Sequence, residues 1–449
     1  MSAPRRVRPD APHRRGWCPS LAWPMPTGDG LLARIHPPLG ILTHVQLRAV
    51  AGAAQAFGNG HVDVTARANL QLRGVSEATR PGLVAALDAA GLADMRADGG
   101  PQRLTLTSPH AGMIPEAIDA PGIARAIEAH GLRIAALPPK TLVLIAGAGL
   151  DPVGIAADIH VRAAGPGLVS LGLADEAGVD WIASCSAERS AAAVATLLRA
   201  FAASGRRRVR DLAPAERTEM ARALIDCGAA SLPPLSAGED RPRRGSKERS
   251  VASGEVAPLE VEAPFGRCTA AMLDRLAEVA ADLGVDDVRV SPTRGFVLPV
   301  RGARSHRRPY AVAALAAAGF VTAPDDPRRA VATCPGAPAC ASGSTPTGAD
   351  AARLAEAFRP FAAAGLTAHV SGCAKGCAHP GRADLTLVGR DGRYGVVLGG
   401  APGDAPAREL AFEAALERVW RAKPGALAQA FGPTFHRQTC AEHTIGTTT

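Results

Sequence analysis

Four of the nine cysteines in the sequence are grouped in its second half. Their spacing is C-x5-C and then, after 32 further residues, C-x3-C, at Cys334, Cys340, Cys373 and Cys377. Four thiolates are the ligands of a [4Fe–4S] cluster, and the glycines and prolines between these cysteines let the backbone bend closely around such a group. A zinc site, for which the shorter spacing C-x2–4-C is usual, and a set of buried cysteines without metal are the alternatives. The pattern predicts an iron–sulfur cluster.

A second group of polar residues lies in the first half, in the segment VTARANLQLRGV. Its polar side chains alternate with period two, at Thr65, Arg67, Asn69, Gln71 and Arg73. If residues 61–75 form one strand, all five face the same side of a sheet. No carboxylate alternates with them, and arginine binds carboxylates through two parallel hydrogen bonds. The segment therefore predicts an anion-binding face, with an exposed strand face of no function as the alternative.

The two halves of the sequence repeat at a constant offset of 226 residues. Val64 corresponds to Val290, Arg103 to Arg329 and Asp158 to Asp384. A constant offset over nearly 100 residues predicts an internal duplication with pseudo-two-fold architecture. At this offset Ser108 stands where the second half has Cys334, so only the second half keeps cluster ligands.

Strands and helices alternate within each half, which predicts an α+β fold. The segment 229–257 is rich in Pro, Gly, Ser and charge and has no hydrophobic period, so we expect a linker there. The expected domains, in chain order, are a flexible tail at 1–16, two domains of the first half at 17–100 and 101–228, the second of them without cluster ligands, the linker, two domains of the second half at 258–325 and 326–432, the second of them binding the [4Fe–4S] cluster, and a tail at 433–449.

The composition and the charge pattern argue against a nucleic-acid-binding, a membrane and a secreted protein. The chain has 449 residues and a formal net charge of +8, with much of the excess in basic runs at 5–8, 206–210 and 241–249. We interpret these runs as solvated surface and expect no nucleic-acid partner, although a basic protein invites that reading. No apolar run reaches the 18 residues of a membrane span, and the basic, proline-rich start is unlike a secretory signal. We therefore expect no membrane partner and a cytoplasmic protein, in which disulfides are rare.

These features together resemble the nitrite/sulfite reductase superfamily. The resemblance implies that 17–100 and 258–325 are ferredoxin-like half-domains and that 101–228 is a reductase-like domain. The resemblance rests on the duplicated halves, TARANLQLRG, RLTLTSP, LPPK and the four-cysteine pattern, and it covers about residues 25 to 430. In that family a siroheme at the interface of the halves is bridged to the cluster by one cysteine, which would be Cys377 here. The resemblance implies that basic side chains grip tetrapyrrole carboxylates. The matching residues are Arg34, Arg67, Arg103 and Lys140, with Asn69, Gln71 and Arg73 as candidate helpers.

The chain differs from the reductases at several positions. In these differences it resembles one branch of the superfamily. Leu142 replaces the second lysine of their LPRKFK-type segment, and the start GWCPSLAWPMPTGDG resembles precorrin-3B synthases. That branch implies O2-dependent hydroxylation of precorrin-3A, with closure of a γ-lactone, to give precorrin-3B in aerobic cobalamin biosynthesis. It also implies a [4Fe–4S] cluster, a mononuclear non-haem iron and an NAD(P)H-linked electron donor, without siroheme.

Two other functions stay open at this point. One is a siroheme-dependent sulfite or nitrite reductase, the only alternative in which siroheme is expected. The other is a non-catalytic [4Fe–4S] electron-transfer protein, which would not need a basic anion pocket. The sequence assigns no catalytic residue and no ligand of the second iron. Cys18 and the histidines near the motifs, which are His44, His61, His110 and His379, are more typical of structural positions.

Overall fold

The chain is described by a computed structural model that covers residues 17–113, 116–147, 155–226, 230–231 and 256–432. The predicted tails and most of the predicted linker lie outside the described residues.

Two units make up the described chain. The first contains the residues up to Arg329 together with the short segment Pro338–Ser342. The second contains Ala330–Ala337 and the residues from Gly343 onward.

The described residues form twenty strands. In chain order they are β1 Met25–Thr27, β2 Gly30–Ile35, β3 Ile41–Leu42, β4 His61–Val64, β5 Leu70–Val75, β6 Thr105–Thr107, β7 Val143–Ala146, β8 Ile159–Gly165, β9 Leu168–Ala174, β10 Val179–Ser186, β11 Ala230–Ser231, β12 Val256–Glu262, β13 Arg267–Thr269, β14 Val288–Ser291, β15 Gly295–Arg301, β16 Val331–Thr333, β17 Ala368–Ser371, β18 Ala383–Arg390, β19 Arg393–Gly400 and β20 Arg408–Leu410.

Ten α-helices accompany these strands in the same part of the chain. They are α1 His44–Phe57, α2 Arg80–Ala89, α3 Ala120–Gly131, α4 Ala187–Ala203, α5 Pro214–Asp226, α6 Ala270–Asp282, α7 Arg308–Ala317, α8 Thr347–Ala363, α9 Phe412–Arg421 and α10 Leu427–Ala430. Among the described residues, no helix has the length and apolar character needed to cross a membrane.

The first two sheets are built from the two repeats. Their strand orders are β1-β2-β5-β4-β13 and β12-β15-β14-β3. Each sheet ends in a short strand from the other repeat, because β13 pairs antiparallel with β4 and β3 pairs antiparallel with β14. Helices α1 and α6 follow these exchanged strands and pack against each other over a common apolar core. This arrangement confirms the predicted internal duplication.

Backbone details repeat at the same offset of 226 residues. Leu39 and Phe265 both have positive φ, at 53° and 57°, and Ala68 and Arg294 have φ of 52° and 66°. Non-glycine residues adopt this conformation rarely. Its presence at two pairs of equivalent positions shows that the repeats share local geometry as well as topology.

The prediction that residues 61–75 form a single strand is wrong. The segment is a hairpin in which β4 and β5 pair antiparallel around a turn at 65–69. The Thr65 N–H donates to the Asn69 carbonyl at 2.9 Å, and the Asn69 N–H donates to Thr65 Oγ1 at 3.1 Å. Ala68 supplies the left-handed residue. Because the turn contains neither glycine nor proline, its sequence lacks the usual signal of a reversal.

A mixed sheet follows each ferredoxin-like repeat. In the first unit β6, β7 and β8 are parallel, and β9, β10 and β11 continue antiparallel. The second unit repeats this pattern with β16, β17 and β18 parallel and β19 and β20 antiparallel. Strands β6 and β16 are related by the offset of 226. The combination of mixed sheets and packed helices confirms the predicted α+β class.

Candidate functional site

Arg34 lies on β2, opposite Gln71 of the neighbouring strand β5. Its Nε and Nη2 atoms donate to Gln71 Oε1 at 3.1 and 2.6 Å. The side chain is half-buried, and burial lowers the pKa of its guanidinium, with a further lowering by Arg67 that the nearby Cys18 side chain opposes. Arg34 is therefore a charge held in place by a neutral partner.

Arg67 lies at the tip of the β4–β5 hairpin and is also half-buried. Its Nη1 donates to the carbonyl oxygen of Lys140 at 3.3 Å, and its Nη2 donates to that of Ala156 at 3.4 Å. Burial lowers the pKa of Arg67, and the charge of Arg208 lowers it further. Asp158 opposes this lowering, but the hydrogen bonds of Arg67 go only to neutral carbonyl oxygens, so its guanidinium can bind an anionic ligand.

Arg103 is buried behind this tip, with 8% of the residue exposed. Its Nη1 donates to the carbonyls of Pro37 at 3.1 Å and Ala68 at 3.0 Å, and its Nη2 donates to the carbonyl of Arg67. Burial lowers its pKa to about 10, so it stays charged at neutral pH. Since its donors are directed at backbone oxygens of the hairpin, its role in this structure is to fix the tip that carries Arg67.

Arg73 departs from the sequence prediction. Its guanidinium is 3% exposed and pairs with Asp29 at 2.8 Å and with Asp63 at 3.1 Å. The expectation that this face lacks carboxylate partners is therefore wrong for Arg73. The reason is topological, because Asp29 precedes β2 and Asp63 lies on β4, next to β5 in the sheet. These ion pairs account for its charge and give Arg73 a structural role instead of a place in the substrate site.

The Arg73→Gln variant is expected to be less stable by about 3 kcal/mol, because breaking a buried ion pair leaves Asp29 without its arginine, while Asp63 keeps only its pair with Arg267. Chemical denaturation would measure this change in the free energy of unfolding. Arg80→Gln is the matched control, since Arg80 pairs with Glu77 at 3.5 Å on the exposed surface, where ion pairs contribute little. Equal stabilities of the two variants would contradict a structural role for Arg73.

Asn69, Lys140 and Gln71 occupy different environments around the tip. Asn69 is 6% exposed, and its Oδ1 is buried without a hydrogen-bond partner among the described residues. Lys140 is half-buried, and its backbone carbonyl is a contact of Arg67. Gln71 is occupied by Arg34. Six of the seven predicted binding residues thus lie on or beside the hairpin and its partner strand β2, with Arg73 among them in ion pairs, while Arg103 supports the tip.

His36 adds a titratable group two residues after Arg34. Burial lowers its pKa well below the usual value, and the charges of Arg34 and Arg103 lower it further. The unfolded chain then binds more protons than the folded chain below about pH 6.5. Stability should therefore fall as the pH drops through that range.

We expect the His36→Gln variant to lose less stability than the unsubstituted protein between about pH 6.5 and pH 5. Denaturation curves across this range would measure the slope of the unfolding free energy against pH. His306→Gln changes an exposed histidine and is the control. An unchanged slope in His36→Gln would show that His36 does not account for the acid sensitivity.

Two of the grouped cysteines follow adjacent parallel strands of the second unit. Cys334 comes directly after β16, and Cys373 comes two residues after β17. Because the strands are parallel, both cysteines lie at the same edge of the sheet. The Gly372 N–H donates to Cys334 Sγ at 3.2 Å. An amide aimed at a cysteine sulfur is the kind of hydrogen bond that tunes an iron–sulfur cluster.

Three glycines let the backbone segments at this edge of the sheet approach one another closely. A Cβ at Gly372 would lie 3.2 Å from the Cα of Gly336, 3.3 Å from that of Gly343 and 3.5 Å from Cys334 Sγ. Gly336 also has a φ of +61°. A side chain at Gly372 would push these backbone segments apart. Glycine therefore allows the segments around Gly336, Gly343 and Gly372 to lie close together beside Cys334, and we call this arrangement the glycine cradle. The cradle fits the donor chemistry of a thiolate-bound cluster.

Cys340 belongs to the segment Pro338–Ser342 of the first unit. The carbonyl of its neighbour Ala339 accepts hydrogen bonds from the Gly28 N–H at 3.1 Å and from Arg73 Nη2 at 2.5 Å. A Cβ at Gly28 would collide with the carbonyl oxygen of Pro338. Arg73 therefore also fixes the backbone next to a predicted cluster ligand.

The sequence and the fold of this chain are similar to those of known proteins. A family model described as the nitrite/sulfite reductase ferredoxin-like half domain matches residues 23–90. A precorrin-3B synthase of Sinorhizobium sp is 34% identical over 432 residues, which are 91% of this chain and 88% of that protein. The chain belongs to the precorrin-3B synthase family. This confirms the predicted branch and the prediction that the chain is an enzyme of the oxidoreductase class.

Other relatives connect this precorrin-3B synthase family member to the wider superfamily. A ferredoxin–nitrite reductase of Leptolyngbya laminosa is 34% identical over 121 residues, or 26% of this chain and 24% of that protein. The solved structure of the Mycobacterium tuberculosis NirA protein has a TM-score of 0.66 at 20% identity and covers 89% of this chain and 83% of that one. The second likeness shows the fold and confirms the predicted reductase-like architecture.

The part of the precorrin-3B synthase chain that the structure describes holds no group of three or more His, Cys, Asp or Glu side chains that could hold a metal ion. His110 pairs with Glu260 at 2.8 Å, and His44 lies 3.6 Å from Asp286. The mononuclear iron stays a prediction to which no ligand is assigned. In a [4Fe–4S] cluster, by contrast, each cysteine binds a different iron, so the four thiolates need not converge on one point.

Sequence reasoning missed Arg208. The basic run 206–210 is expected to be solvated surface, yet Arg208 Nε pairs with the buried Asp158 at 2.9 Å, and its side chain is 19% exposed. Exposed Arg207 and Arg210 flank a half-buried Arg208 and a buried Val209. The one sequence signal is that apolar Val209 interrupts an otherwise charged run.

Proposed function

We propose that this chain converts precorrin-3A to precorrin-3B in aerobic cobalamin biosynthesis, by O2-dependent hydroxylation and closure of a γ-lactone. The observation that carries the proposal is the match to a precorrin-3B synthase over 91% of the chain. In the reaction one oxygen atom enters the substrate at the meso carbon between rings A and D, and the other is reduced to water. Two electrons come from an NAD(P)H-linked donor.

The basic residues of the first unit would bind the substrate. Precorrin-3A carries a fringe of acetates and propionates, and Arg34 and Arg67 are half-buried guanidinium groups with no carboxylate partner among their described hydrogen bonds. Arginine binds carboxylates bidentately and so fixes orientation as well as position. Lys140, Asn69 and Gln71 would complete the rim. Holding the macrocycle in one orientation selects the meso carbon that reacts.

The cluster is proposed to be bound by Cys334, Cys340, Cys373 and Cys377. Support comes from the spacing, from the strand ends that carry Cys334 and Cys373, and from the glycine cradle with its N–H bond to Cys334 Sγ. A bound [4Fe–4S] cluster would supply electrons one at a time. The residues of this chain would hold it, shield it with backbone and direct amide hydrogens at its sulfur ligands.

A mononuclear iron has less support. The described residues offer no ligand set for it, so no step of the proposal depends on it. The guanidinium groups of this chain bind the substrate carboxylates and thereby orient the ring. A siroheme-dependent reductase is the competing function, and the Leu142 replacement of a lysine weakens it.

Anaerobically purified holoprotein tests the proposal. We expect iron and acid-labile sulfide without stoichiometric siroheme, and conversion of precorrin-3A to a lactone product when O2 and a reductant are added. Sulfite and nitrite should not be consumed. A full complement of siroheme together with reduction of either anion would replace the proposal with the reductase function.

A further inference from the structure

Arg208 is anchored beside the hairpin tip by Asp158. Asp158 is 1% exposed, and its Oδ1 accepts from Arg208 Nε at 2.9 Å and from the Val209 N–H at 3.1 Å. Its Oδ2 accepts from the Leu142 N–H at 3.1 Å. Two backbone amides thus fix the carboxylate, and the carboxylate fixes one edge of the guanidinium.

The same guanidinium has an unused donor next to Nε. Arg208 Nη2 is buried and has no hydrogen-bond partner among the described residues. A buried donor without an acceptor is unfavourable. Arg67 approaches the same stretch of chain, because its Nη2 donates to the carbonyl of Ala156, two residues before Asp158. The charge of Arg208 in turn lowers the pKa of Arg67. Asp158 offsets part of these two positive charges, and the Arg208 Nη2 donor still lacks an acceptor.

The second repeat shows what the aspartate does without an arginine. Asp384, at the offset of 226 from Asp158, accepts from the backbone N–H of Thr367 at 2.8 Å and from its hydroxyl at 3.1 Å. In the first repeat the equivalent Thr141 directs its hydroxyl to the Pro138 carbonyl at 2.7 Å. The hydroxyl is therefore replaced by Arg208 as the partner of Asp158. This replacement occurs in the repeat that carries the basic site.

We infer that Arg208 and Arg67 form a two-arginine subsite for one carboxylate of the tetrapyrrole rim, with Asp158 as the positioning residue for Arg208. The inference rests on the proposed function for the identity of the ligand. One carboxylate oxygen accepts from Arg208 Nη2 and the other from Arg67, so a single anion satisfies the buried donor and separates two cations. The subsite would fix one corner of the macrocycle.

Binding of uroporphyrin, a stable tetrapyrrole with eight carboxylates, tests the subsite independently of turnover. Fluorescence titration of the full-length holoprotein under anaerobic conditions would measure the dissociation constant. Arg208→Gln is expected to weaken binding about tenfold, whereas Arg207→Gln, an exposed neighbour with the same change of charge, should not. Arg208→Lys keeps the charge without the planar fork and should recover only part of the affinity.

A second variant separates positioning from folding. Asp158→Asn should weaken binding as Arg208→Gln does, and the double variant should be no weaker than either single one, because both remove the same contact. With precorrin-3A, the KM should rise in Arg208→Gln while kcat is unchanged. Wild-type affinity in Arg208→Gln, or failure of the wild type to bind uroporphyrin, overturns the subsite. Binding by the wild type without conversion of precorrin-3A overturns the proposed function alone.

Discussion

The Cys373→Ser variant is expected to lose the [4Fe–4S] cluster and, with it, turnover of precorrin-3A. A serine hydroxyl does not supply the thiolate that iron requires, and Cys373 lies at the same sheet edge as Cys334, beside the glycine cradle. Changes to residues that only support metal ligands cost about 10–100-fold, so loss of a ligand itself should exceed about 100-fold. Iron and sulfide per chain, visible absorbance and product formation measure the effect.

Cys185→Ser is the matched control for that loss. Cys185 lies on β10 and is 8% exposed, and burial raises the pKa of its thiol, so that it stays protonated. This variant should keep its iron and its activity. Full iron content together with normal turnover in Cys373→Ser would contradict the assignment of this cysteine as a ligand.

The Arg67→Gln variant is expected to bind precorrin-3A about 10–100-fold more weakly, with its cluster intact. Arg67 lies at the hairpin tip, is fixed from behind by Arg103, and makes only long bonds to the carbonyls of Lys140 and Ala156. Its charge is therefore available to a substrate carboxylate, and a hydrogen bond to a charged group contributes about 1.5–3 kcal/mol. Anaerobic titration with precorrin-3A gives the affinity, and iron analysis gives the cluster content.

Arg48→Gln is the control for the loss of one positive charge. Arg48 lies on α1, its side chain is 54% exposed, and it pairs with Asp274 at the surface. Its replacement should leave the affinity unchanged. If Arg67→Gln bound precorrin-3A as tightly as the unsubstituted protein, the hairpin tip would not be part of the substrate site.

The repeat makes most of the fold predictable. Cys334 and Arg103 belong to segments that correspond at a constant offset of 226, and this regularity in the sequence is enough to imply the duplicated α+β architecture. The four cysteines stay a prediction of cluster ligands, drawn from residue type and spacing. The structure adds that Cys334 and Cys373 follow β16 and β17, whose parallel strands end at one edge of the sheet.

The hairpin and its arginines could not be predicted in the same way. The turn at 65–69 depends on hydrogen bonds of Thr65 and on Ala68 at φ 52°, which no turn motif announces. Once β4 and β5 are separate strands, Arg73 meets Asp63 across the sheet, and Arg67 moves to the tip. For Arg208 the interruption of the charged run by Val209 does not identify a partner, because Asp158 is 50 residues away in the sequence. Pairings of this kind are set by tertiary topology.

Turnover under ¹⁸O2 tests the central claim most directly. The holoprotein is mixed anaerobically with precorrin-3A and reductant, labelled O2 is admitted, and the product is analysed by mass spectrometry. The account predicts a lactone product that carries one labelled oxygen atom, with no product in the absence of O2. Unchanged precorrin-3A, or a product whose added oxygen comes from water, would contradict it.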